Sequence, residues 1–476
     1  MRPGGLKPST PFRTSLTFLV LLAGCFVAVT PSFAHISEQG FILLLPTDMY
    51  INFGVAAVGL TVAVLAILPA KKSLGLFVHK TLELAQRPAV AVVTSLASLA
   101  FLALLVFIGF QGPRDPLGNL LPLVIWTVWW VGFVIVQGLF GDFWHWLNPW
   151  TGFYRLVQDA LGTGKKFTLP SWLGAWPGVV TLMAFFGFAL ADLAPDDPDR
   201  LAVFVGGYWL YTFCGMLLFG GEVWLSRCEC FTVLLRHFSS LALFQRCQAG
   251  LQFGTPGWPL IAAPALTISG GVFVLLILGS GTFDGINETF WWLGLIGVNP
   301  LEFPGRSAVV WPTLIGLAVT NILLVAAFAG TLYVGLWLIG ERATFVEAFG
   351  RMVRSILPIA LGYHAAHYLA VLLVSGQYTI AAFSDPWARG ADWLGLGDFR
   401  VTTGFFNTQN TVEMIWLTQA GFIVAGHMLA VLVSHAIAVD MFRDGKKATV
   451  SQIPMAIFMV LYTLIGLTLL AAPRGA

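Results

Sequence analysis

Residues 355–375 read SILPIALGYHAAHYLAVLLVS, and this stretch decides what kind of chain this is. At about 1.5 Å of rise per residue it makes a helix of roughly 30 Å, the thickness of a hydrocarbon core. No Asp, Glu, Lys or Arg interrupts it. The segment therefore predicts a transmembrane helix, and it carries His364 and His367. A second apolar stretch, 412–439, contains AGFIVAGHMLAVLVSHAIAV and carries His427 and His435. A titratable ring at bilayer depth persists only with a partner, a bound ion or a watery cavity, so these four histidines are the leading candidates for function.

The rest of the chain has the same character. With 57% hydrophobic and only 10% charged residues, a mean hydropathy of +0.83 leaves too little polar surface for a water-soluble fold. Apolar runs recur near 51–70, 88–110, 120–140, 172–193, 201–225, 258–279, 310–339, 355–375, 412–439 and 453–470. The expected fold is all-α, a polytopic bundle of about ten transmembrane helices in contact with the lipid bilayer. A net charge of +2 gives no sign of a nucleic-acid partner.

Charge placement supplies an independent check. One set of alternate loops holds Lys71, Lys72, Lys80, Arg87, Arg155, Lys165, Lys166, Arg227, Arg236, Arg246, Arg342, Arg351, Arg354, Arg443, Lys446 and Lys447. The other set holds Arg114, Arg200, Arg306, Arg389, Arg400 and Arg474, so 16 cations oppose 6, and the first set is expected to be cytoplasmic. Residues 1–34 read as an export signal, with Arg2, Lys7 and Arg13 before the apolar run 16–29 and small residues at Ser32 and Ala34. Cleavage after Ala34 would expose His35. Leu22-Ala23-Gly24-Cys25 offers a competing lipidation site at Cys25. Either cut leaves residues such as 35–476 as one membrane domain with both mature termini outside the cytoplasm of a bacterial inner membrane.

On a helix His364 and His367 lie about 60° apart and share a face. If the helices of 355–375 and 412–439 pack together, His427 reaches a similar depth, and His435 lies about 12 Å further toward the cytoplasm. Three imidazoles with a fourth open position are one arrangement for a divalent metal such as catalytic zinc, whose bound water is a nucleophile near neutral pH. The plainer reading of each histidine is an interhelical hydrogen bond. Tyr363 and Tyr368 stand beside the pair as supporting groups, with Asn321 as a further candidate. Glu222 at the inner end of the 201–225 run either snorkels or functions. Asp385, in Ser384-Asp385-Pro386-Trp387, either closes over an outer mouth or makes a turn. Asp142 and His145, in GDFWHWLNPW (141–150), either bind a metal or form an ordinary polar pair at the interface. Cys228-Glu229-Cys230 either binds a soft metal or holds two reduced thiols. No Walker loop, HExxH or GxSxG occurs, so no nucleotide is expected and the common protease layouts are unsupported.

Several of these landmarks together resemble a known family. The 142–150 block ending in Asn148-Pro149-Trp150, Phe283-Asp284-Gly285, Gly362-Tyr363-His364-Ala365-Ala366-His367-Tyr368, Ser384-Asp385-Pro386 and Gly426-His427 are similar to the bacterial membrane proteins known as fenitrothion hydrolases. The resemblance runs through most of the mature chain. It implies hydrolysis of a hydrophobic aryl phosphorothioate triester, and work alongside a second related membrane component. It carries no catalytic residue across. Two other readings of the same histidines remain open: a transporter or channel for a metal ion or small solute, and an electron-transfer subunit.

Overall fold

The computed structural model describes residues 42, 44–83, 88–162, 165–247, 250–300, 302 and 305–473. The expected export signal, with Cys25, Ala34 and His35, and the cations Arg87 and Arg474 lie outside the described residues. The fold is an all-α polytopic bundle. Among the described residues, nine helices are long and apolar enough to cross a membrane, or ten when one bent pair counts as a single span.

The helices used below are α1 (Thr47–Ile67), α2 (Pro88–Gln111), α3 (Leu120–Leu139), α4 (Trp176–Ala191), α5 (Pro198–Phe219), α6 (Cys230–Ser239) and α7 (Ile268–Ile286). They continue with α8 (Val310–Leu338), α9 (Leu357–His367), α10 (Leu369–Ser384), α11 (Gln409–Phe442) and α12 (Gly445–Ala471). Three short strands, β1 (His79–Glu83), β2 (Phe244–Cys247) and β3 (Gly250–Gly254), form an antiparallel sheet in the order β1-β3-β2. That sheet joins two loops from the lysine- and arginine-rich set. Lys447 pairs with Glu341 at 2.6 Å and Arg351 with Asp440 at 2.6 Å within the same set of loops. At the other end Arg200 pairs with Asp192, and Arg114 with Asp199. The lysine- and arginine-rich loops thus gather at one end, the basic end, and the other end carries Asp192, Asp196, Asp197, Asp199, Asp385, Asp392 and Asp398 and is the acidic one.

Burial is inverted relative to a soluble protein. Phe53, Leu60, Val93, Ile322 and Leu323 are exposed on the helix surfaces, while Gln137, Asn321, His364, His427 and His435 are buried. Lipid solvates an outward leucine at no cost, whereas a polar group there would lack a partner, so polar groups turn inward.

The structure corrects three expected spans. The run 201–225 ends at Phe219, because Gly220 adopts φ 92°, and Glu222 begins a separate short helix, Gly221–Arg227. The run 258–279 is displaced: its helix is α7, starting where the Thr267 hydroxyl accepts from the Gly270 N–H. The run 355–375 is two helices, α9 and α10, meeting at Tyr368 with a 56° bend.

One close approach positions the centre of the bundle. Gly362 of α9 and Gly426 of α11 face each other, and a β-carbon on Gly362 would stand 2.5 Å from the carbonyl oxygen of Phe422. A β-carbon on Gly426 would meet the Pro358 carbonyl at 2.6 Å. Only glycine permits backbones this close, the usual basis of helix association where no hydrophobic effect operates. The crossing brings the two histidine-bearing helices side by side, the condition that the sequence left open.

Candidate functional site

The residues after the Gly362 contact build a buried carboxylate centre. His367 Nε2 lies 3.1 Å from Asp284 Oδ2, and Tyr368 donates its hydroxyl to the same oxygen at 2.5 Å. The His367 and Asp284 side chains are 10% and 12% exposed, so the pair is shielded from bulk solvent. Tyr363 stacks on the His367 ring at 5.6 Å. Gly281 and Gly285 of α7 border Tyr363, and any β-carbon on Gly285 would collide with its hydroxyl. The Phe283-Asp284-Gly285 triplet therefore supplies the carboxylate and the space beside it. Thr282 lies 2.5 Å from the Tyr462 hydroxyl, and Tyr462 stands nine residues before the end of α12. That places the centre about 14 Å below the acidic end of that helix. Trp130, Asp284, Tyr363, His364, His367 and Tyr368 border a cavity of about 20 Å3. That is room for one water, which needs roughly 10–15 Å3.

The other histidines turn to different partners. His364 donates from Nε2 to the carbonyl of Trp130 at 2.9 Å, since a carbonyl can only accept. Trp130 lies in the π-helical stretch Leu123–Phe133 of α3, a geometry often found at functional positions. His427 donates from Nδ1 to the Ile423 carbonyl one turn earlier at 2.8 Å. Its Nε2 is buried without a hydrogen-bond partner, and its ring lies 6.2 Å from that of Tyr462. His435 is buried further along α11. His364, His367 and His427 thus approach in depth but face α3, α7 and α12 respectively. Among the described residues no three His, Cys, Asp or Glu side chains group as metal ligands. The three rings therefore meet three different neighbours rather than one another.

The lower-ranked candidates assemble somewhere else. Asp142, His145 and Glu222 all line a cleft of about 230 Å3 at the basic end, together with Asn148, Arg155 and Arg236. Its walls come from 142–155, α2, α6 and the helix containing Glu222. The block 141–152 is held by a dense polar network. Gln137 accepts from the N–H groups of Phe143 and Trp144 and donates to Asp142 at 2.9 Å. Thr232 accepts from Trp144 Nε1 and Asn148 Nδ2, and Ser95 accepts from the Gly152 N–H. Asn148 accepts from the Trp150 N–H, closing the turn that its pairing with Pro149 predicted. Asp142 also accepts from the His145 N–H at 3.3 Å, a polar pair in which the imidazole takes no part. Burial, then the Arg246 guanidinium, lowers the pKa of His145, against the pull of Asp142.

Glu229 anchors the same region. It is fully buried, accepts from the N–H groups of Phe231 and Thr232 as the N-cap of α6, and accepts the Tyr208 hydroxyl at 2.5 Å. Burial pushes the Cys228 thiol up to about 11 and raises that of Cys230 as well. Burial thus disfavours the thiolate form of both side chains.

Asp385 accepts from the N–H groups of Arg389 and Gly390 in a tight turn at the acidic end. Ser384 donates to Asp392 beside it. Asn321 donates to Ser280 and to the Leu317 carbonyl, fastening α8 to α7 rather than supporting the histidines. Asp284 sat in the sequence as one acidic residue among several near the outer loops. Its signals were a place at the end of an apolar run and the Phe283-Asp284-Gly285 motif of the family resemblance; neither linked it to the histidine pair. Arg155 and Arg236 looked like ordinary loop cations. No protein-family model, curated protein or solved structure matches this chain.

Proposed function

We propose that this protein is a membrane-embedded hydrolase component whose Asp284–His367 pair activates a water at bilayer depth. Its substrate in this reading is an uncharged aryl phosphorothioate triester that enters from the lipid. The observation that carries it is the carboxylate–imidazole contact on the wall of a cavity the size of one water. With His367 Nε2 3.1 Å from Asp284 Oδ2, this reading puts the ring proton on Nε2, facing the carboxylate, and leaves the lone pair of Nδ1 to serve as base. Nδ1 takes a proton from water as oxygen attacks phosphorus. The bond to the aryl oxygen breaks, and the phenolate leaves with little need of acid. Asp284 stabilises the imidazolium that forms, and the Tyr368 hydroxyl holds the carboxylate in place. The choice of triester rests on the resemblance of the motifs and on the lipid solubility of such molecules. The same reading places the basic end in the cytoplasm of a bacterial inner membrane, both mature termini outside, and a second related component alongside.

The size of the cavity favours one other reading. A space for a single water, and none for a triester in this conformation, also suits proton handoff coupled to transport of a small solute. Turnover separates the two. Purified protein in detergent, alone and with its partner component, should release nitrophenol from fenitrothion. No turnover, with proton-coupled solute flux in sealed proteoliposomes, would overturn the hydrolase reading in favour of transport.

A further inference from the structure

We propose that the cleft at the basic end seats the headgroup of an aminophospholipid, with its phosphodiester between Arg155 and Arg236 and its primary ammonium against Glu222. This stands independently of the hydrolase reading. The cleft is lined by two guanidinium groups and two carboxylates, and no ion pair joins Arg155, Arg236, Asp142 or Glu222 to any described residue. Asp142 is already engaged by Gln137 and by the His145 N–H. That leaves Arg155, Arg236 and Glu222 facing one space of about 230 Å3. A lone anion would meet the Glu222 carboxylate, and a lone cation would meet the guanidiniums. A phosphate joined to an ammonium satisfies both, with charge-assisted hydrogen bonds at each end.

The walls point to a lipid as the source. Ala91, Val92 and Leu225 line the cleft. Ala91 and Val92 sit on α2 between Val90 and Val93, which are 45% and 65% exposed on the apolar outer surface of the bundle. Acyl chains leaving the cleft along α2 would remain in hydrocarbon. Trp146, with Arg246 5.0 Å above its ring, stands at the same end, as interface aromatics do. A soluble phosphoethanolamine has the same headgroup chemistry but no use for those walls.

The test uses the full chain, delipidated and returned to nanodiscs of dioleoyl phosphatidylethanolamine, phosphatidylcholine or phosphatidylglycerol in equal mixture. Lipid retained through detergent extraction is counted by native mass spectrometry. Phosphatidylethanolamine should be retained about tenfold over each of the others. The double variant Arg155→Gln/Arg236→Gln should lose retention of all three. Glu222→Gln should bring phosphatidylethanolamine down to the level of phosphatidylcholine, whose quaternary ammonium has no N–H to donate. Unchanged thermal unfolding of these variants keeps folding out of the result. Equal retention of the three lipids, preference for phosphatidylglycerol, or a preference untouched by either variant would overturn the proposal. So would displacement of the lipid by millimolar free phosphoethanolamine, which would make the ligand a soluble zwitterion.

Discussion

The buried centre at Asp284 and the cleft at the basic end hold similar residue types under opposite conditions. Asp284, His367 and Tyr368 are enclosed, each is partnered, and the space beside them takes one water. Arg155, His145 and Glu222 are exposed, and the cleft they line is about ten times larger. In low dielectric a carboxylate without partners is expensive, so the buried centre is satisfied internally and suits proton transfer. At the solvent-facing end charges are hydrated, so they can wait unpaired for a ligand. Burial, more than residue identity, separates the proposed reaction centre from the proposed binding cleft.

The sharpest way to break that contrast is at the carboxylate. Asp284→Asn and His367→Ala should each lower nitrophenol release by about 10²–10⁴-fold, the usual contribution of a positioned acid–base group. Arg155→Gln should leave turnover near the parent level. Equal losses at both sites would show that the two regions act as one. The Gly362→Val substitution asks whether the enclosed centre depends on backbone contact. Its β-carbon would press on the Phe422 carbonyl, and a loss of about 1–3 kcal/mol is expected in detergent unfolding. An unchanged midpoint would mean that α9 and α11 need no glycine crossing.

Glu229→Ala probes the rigidity of the cleft wall. Removing the cap of α6 should cost about 0.5–2 kcal/mol and raise hydrogen exchange at Phe231 and Thr232, with turnover retained. Unaltered exchange there would remove Glu229 from that role.

The smallest effect concerns acidity in the cleft. His145 has its pKa lowered from the ordinary 6.5 by burial and by Arg246. The unfolded chain therefore binds this proton more readily, so stability falls as pH drops below about 6.5 and is unaffected above it. His145→Gln should flatten that acid limb slightly, because the ring is only partly shielded and solvent screens its charge. A stability profile identical in the two proteins between pH 7 and 5 would contradict the lowered value.

The membrane-spanning architecture was legible because hydropathy and loop charge are carried by whole segments. Errors came at single backbone positions: Gly220 ends a helix inside an apolar run, and Tyr368 bends another that contains no internal break in hydropathy. The candidate site was legible in part. His364, His367, Tyr363 and Tyr368 all border the same small cavity, while His427 belongs to a different contact. Asp142, His145 and Glu222 share the larger cleft, although nothing in their spacing linked them.

By itself the sequence determined that this chain is a bundle of apolar helices with one basic and one acidic end. Those properties follow from transfer free energy and charge summed along the chain, and they need no knowledge of neighbours. Only the tertiary structure decided that His367 meets Asp284, that His364 meets a π-helical carbonyl and that the arginines of two distant loops share a cleft. The direction of a side chain around its helix becomes a contact only when the neighbouring helix, its rotation and its distance are fixed, and here a pair of facing glycines helps to fix them.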